Sequence, residues 1–73
     1  MYIVMEFWEE TPEVAIQTVN YIKSTKTEAM SSYHYILHQA TVSSHYKHGA
    51  VCLDDEGRTI AREFYLHEEN ADD

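Results

Sequence analysis

Residues 24–46, STKTEAMSSYHYILHQATVSSHY, decide the fold. Thr25-Lys26-Thr27-Glu28 fits a capping box: the Thr25 hydroxyl meets the third helical amide and Glu28 reaches back to the Thr25 amide. Ala29, Tyr33, Leu37 and Ala40 then recur at helical spacing with Ile36 beside them, which makes one apolar stripe. The pattern predicts a helix over 26–43. Ser43 and Ser44 weaken its end, and Gly49 marks a loop.

On the C-terminal side, residues 50–66, AVCLDDEGRTIAREFYL, read as a hairpin. Two strand-like runs flank Asp54-Asp55-Glu56-Gly57, where Gly57 suits the positive φ of a turn followed by a bulge. Val51, Leu53, Ile60, Phe64 and Leu66 are expected to supply its core face. On the N-terminal side, residues 2–8, YIVMEFW, form a strand rich in β-branched and aromatic side chains. Alternation puts Ile3, Met5 and Phe7 on one wholly apolar face, read as the core face, and Tyr2, Val4, Glu6 and Trp8 on the other. Thr11-Pro12-Glu13 has the composition of a helix start. Five β-branched residues within 14–22 outweigh it, so a second strand is expected over 15–23.

The order is therefore β-β-α-β-β, an α+β class chain. One helix covers one face of a four-stranded, mainly antiparallel sheet in two layers. Residues 1–67 make a single domain, and 68–73 form an acidic tail expected to fray. The other sheet face, to which Trp8, Tyr21 and Tyr65 are assigned, needs a cover, so a homo-oligomer is expected. A domain of 73 residues gains little from its own core. The single cysteine, Cys52, rules out an internal disulfide. It reads as a small buried apolar residue.

Thirteen acids against five bases give a formal net charge of −8. Lys23, Lys26, Lys47, Arg58 and Arg62 are scattered, which disfavours direct nucleic-acid binding. Acidity suits solubility or docking on a basic protein. The lone cysteine and the absence of a long apolar run predict a cytoplasmic protein with no membrane segment.

YIVMEFWE, TEAMSSYH and VCLDDEGRTIAREFY together resemble small β-β-α-β-β proteins of phages and mobile elements of Gram-positive bacteria. The resemblance spans most of the chain and consists of strand, helix and turn patterning. It implies a phage context, host cytoplasm included, in which very small proteins commonly inhibit host machinery. No functional residue carries over from it.

Three functional expectations follow. The first is a non-enzymatic inhibitor that occludes a host protein of defence or nucleic-acid handling, with Trp8, Tyr21, Tyr35, Tyr46 and Tyr65 as interface candidates. The second is an oligomeric sponge that sequesters a nucleotide signal, with Lys47, Arg58 and Arg62 as ligand contacts. The third is a metal-binding domain using His34, His38 and His45, which share one helix face if the helix reaches that far. No zinc-protease pattern is present, and a solvated polar face explains the same row. No cofactor is expected. Neither a Gly-rich phosphate loop nor a set of nucleophile, base and orienting group can be read from the sequence.

Overall fold

The computed structural model describes residues 1–67. It has strand β1 (Tyr2–Glu9), strand β2 (Gln17–Lys23), helix α1 (Lys26–Val42), strand β3 (Lys47–Leu53) and strand β4 (Thr59–Leu66). The four strands form one open sheet in the order β2-β1-β3-β4, and each neighbouring pair is antiparallel. This is the expected α+β order of elements. The expected acidic tail at 68–73 lies outside the described residues.

The local signals act where the sequence put them, with a few changes. Thr25 caps α1 by accepting the Glu28 amide at 3.1 Å, while the Glu28 carboxylate accepts from Ser24 Oγ at 3.2 Å. The helix ends at Val42, with Ser43 extended as its C-cap. Pro12 starts no helix: Val14 N–H donates to Thr11 C=O, closing a turn in which Pro12 holds the second position. Gly49 is not in a loop but inside β3.

Gly57 has φ +82°, and its N–H donates to Asp54 C=O at 3.0 Å. The Asp54 carboxylate accepts the amides of Glu56 and Arg58, both at 2.9 Å, and Arg58 Nε at 3.1 Å. The hydrogen bond from the Arg58 amide, foremost, holds the Asp54 carboxyl below its usual range. Its folded pKa lies below the unfolded one. The stabilisation is therefore full above about pH 4 and is lost as pH falls through the folded value. Asp54→Asn should lower the melting temperature at pH 7, and thermal denaturation should show the difference from wild type shrinking as pH falls through the folded Asp54 value.

Register assigns the faces. Side chains paired across strands share a face, so the rows Val4–Tyr21–Cys52–Ala61 and Glu6–Val19–Ala50–Glu63 lie on one side. That side carries α1, because the buried core is Val4, Ala50 and Cys52 with Ala29, Tyr33 and Ile36 of the helix. Two face assignments made from the sequence are thereby corrected. Ile3, Met5 and Phe7, with Val51, Leu53 and Phe64, line the side away from the helix. Trp8, Tyr21 and Tyr65 share the helix side.

Side-chain size accounts for the inversion. The helix-facing strand residues at the centre are small, which lets α1 lie close to the sheet while Tyr33 and Ile36 fill the space between them. The bulky apolar residues remain on the opposite face, which is uncovered among the described residues.

Candidate functional site

β1, β3 and the end of α1 converge on one polar cluster. His48, 5% exposed, has Nε2 2.8 Å from Glu6 Oε2 and Nδ1 3.0 Å from Ser43 Oγ. A carboxylate only accepts, so Nε2 carries the proton, and in the neutral ring Nδ1 accepts from the Ser43 hydroxyl. Tyr21 Oη donates to the other Glu6 oxygen at 3.2 Å. Burial, then the charge and hydrogen bond of Glu6, push the Tyr21 phenol above its ordinary value. Trp8 stacks on His45 at 5.9 Å between ring centroids, and His45 meets the His48 ring at 5.2 Å.

Ser43, His48 and Glu6 thus form a hydroxyl–imidazole–carboxylate chain that the sequence reading missed. Its members lie on three separate elements, and no spacing signals them. Its setting opposes acyl transfer. Ser43 caps the C-terminus of α1, where the last carbonyls point outward and place negative potential where an oxyanion would develop. The chain ties β1, β3 and the helix end together as a latch, and His67 Nε2 bonds the Ala40 carbonyl of the same helix end at 2.7 Å.

The other residues singled out from the sequence are dispersed. Lys47 pairs with Glu9 at 3.7 Å and lies over the Phe64 ring on the uncovered face. Arg58 is at the hairpin tip, bound to Asp54 and Glu56, at the opposite end of β3 from Lys47. Arg62 pairs with Val51 halfway along the edge strand β4. His34 and His38 are exposed on α1, whereas His45 follows the helix and joins Trp8 and His48. The expected row of three is therefore not one helix face, because α1 stops at Val42. Among the described residues no three His, Cys, Asp or Glu side chains converge to hold a metal. Cys52 is buried, and desolvation pushes its thiol up. Tyr65 and Tyr46 are half-buried, and the Tyr46 amide donates to Glu10 C=O.

A different feature emerges at β2. α1 packs mainly on β3 and β1 and meets both edge strands only at its margins, and β2 is exposed from Gln17 to Ile22. Val19 and Tyr21 on the helix side are 38% and 37% exposed, and Ile22 on the other side is 56% exposed. An open trough of about 780 Å³ runs between β2 and α1, lined in part by Ile22, Lys23, Ser31 and Tyr35. As the sheet edge, β2 also leaves its outward N–H and C=O groups without a strand partner among the described residues.

The two edges differ. β4 carries Arg62 and Glu63 mid-strand, and the β3–β4 register shifts beside Leu53, leaving Ile60 unpaired. Charges and bulges of this kind blunt an edge against pairing. β2 carries a single charge, Lys23, at its very end. Among the described residues no helix is long and apolar enough to cross a membrane. Comparison with protein-family models, curated proteins and solved structures finds no match to this chain.

Proposed function

We propose that the chain is a non-enzymatic binding protein that inhibits a host protein by occlusion, docking through the β2 edge. The observation that supports this is a seven-residue edge strand, exposed from Gln17 to Ile22 and without a mid-strand charge. Such an edge binds an extended segment by main-chain hydrogen bonds and reads its alternate side chains in flanking pockets. Val19 and Tyr21 offer exposed contacts on the helix side, and the trough at the β2–α1 junction, beside Tyr35, can take a side chain at the Lys23 end of the strand. The formal charge of −8, with Glu10 and Glu13 in the segment that leads into the strand, favours a basic partner. The phage-type patterning of the chain gives such a partner a host origin.

The test is affinity capture from a Gram-positive host extract with wild type and Val19→Lys side by side. Lysine at an exposed edge blocks strand addition and repels a basic partner, and a thermal melt of the variant checks that the new charge opposite Glu6 leaves the fold intact. Wild type should retain one specific protein, released as salt rises, and Val19→Lys should retain at least about tenfold less. Equal capture by both proteins removes β2 as the docking edge. Failure of wild type to retain any specific protein removes the occlusion reading.

A further inference from the structure

We infer that the uncovered sheet face is closed by a second copy of this chain, so that the principal hydrophobic core of the protein lies between two subunits. Register places the rows Ile3–Ile22–Leu53, Met5–Asn20–Val51–Arg62 and Phe7–Thr18–Gly49–Phe64 on this face. Phe7 and Phe64 meet edge to face at 6.4 Å between centroids.

The distribution of bulk makes the first argument for self-association. Among the described residues of the single chain, four of the seven buried apolar residues are Ala29, Ala40, Ala50 and Cys52, and the largest fully buried side chains are only Val4 and Cys52. Two isoleucines, two phenylalanines, Met5, Val51 and Leu53 occupy the uncovered side. A small domain with so thin a core needs a stabilising supplement from the moment it folds. A second copy is always present at that moment, whereas a different partner is met only later.

Area and charge agree with this occupant. Four strands about 4.8 Å apart and about seven residues long at 3.3 Å each span roughly 440 Å² in projection. Side-chain relief raises this toward the ~500–600 Å² per partner at which specific interfaces begin. The chain as a whole carries −8. Among the described residues, the strand positions on this face carry one acid, Glu9, already paired with Lys47, and one further base, Arg62. Two copies therefore meet without acid facing acid. Arg62, on the outer strand, can bury its stem and keep its charge at the rim. Stacking face to face about 10 Å apart leaves both β2 edges free.

Sedimentation velocity on the full chain, paired with melting temperatures across a concentration series, tests the inference. The expected result is a dimer, or a multiple of it, whose melting temperature rises by several degrees over a hundredfold increase in concentration. Val51→Thr, nearly the same shape but with a hydroxyl at the face centre, should stay folded and dissociate at least about tenfold more readily. Val19→Lys, on the β2 edge, should leave the dimer intact. A monomer with a concentration-independent melting temperature overturns the inference. So does an oligomer indifferent to Val51→Thr, or one abolished by Val19→Lys.

Discussion

Gly49→Ala is expected to remove most of the fold's stability, by about 3 kcal/mol, because overpacking a strand junction forces backbone to move. A Cβ at Gly49 would collide with the Glu63 carbonyl oxygen and with Cα and Cβ of Phe64. None of these is the far end of a flexible side chain, so the collision cannot be relieved by a rotamer change. Gly49 and Phe64 are paired in register, and Gly49 is buried in mid-strand. A domain of this size holds roughly 3–5 kcal/mol in total, so the variant should be largely unfolded at 37 °C. Urea denaturation followed by circular dichroism measures it. Phe64→Ala should not rescue Gly49→Ala, since alanine retains the Cβ and the backbone that collide. A rescue would show that the Phe64 ring, and not the strand approach, sets the requirement for glycine.

Glu6→Ala should cost about 2 kcal/mol, the penalty for leaving a buried donor without its acceptor. His48 Nε2 would lose its Glu6 partner while the ring stays 5% exposed. Tyr21 Oη would also lose Glu6, but Tyr21 is exposed enough to bond water instead. Tyr21→Phe should accordingly cost a small fraction of the Glu6→Ala effect. His48→Ala removes the donor itself, so the two single losses should not add. A double-mutant cycle on Glu6 and His48 should return a coupling of about 1–2 kcal/mol. Additive losses would mean that the 2.8 Å contact contributes nothing to the latch.

The order of elements was readable because its signals are local. A capped helix with one apolar stripe depends on residues three and four apart, and the Asp54–Gly57 turn depends on four consecutive residues. The β2 segment was also readable, since five β-branched residues outweighed Pro12, which the chain uses in a turn. Alternation correctly divided Ile3, Met5 and Phe7 from Val4, Glu6 and Trp8. What alternation cannot supply is which set meets the helix, and large apolar residues pointed to the wrong one.

The candidate sites were less readable. Glu6, Ser43 and His48 are separated by 42 positions at the widest and become neighbours only through the β1–β3 register and the stop of α1 at Val42. The exposure of β2 depends on where α1 lies across the sheet, which is a property of packing.

By itself, then, the sequence determined the elements, their order, the Thr25 cap and the Asp54–Gly57 turn, all governed by neighbours along the chain. The tertiary structure decided the face that α1 covers, the exposure of β2 and the partners of His48. Those depend on the volumes of Val4, Ala50 and Cys52 against the bulk of Tyr33 and Ile36. Size complementarity between distant segments has no period in the chain to announce it.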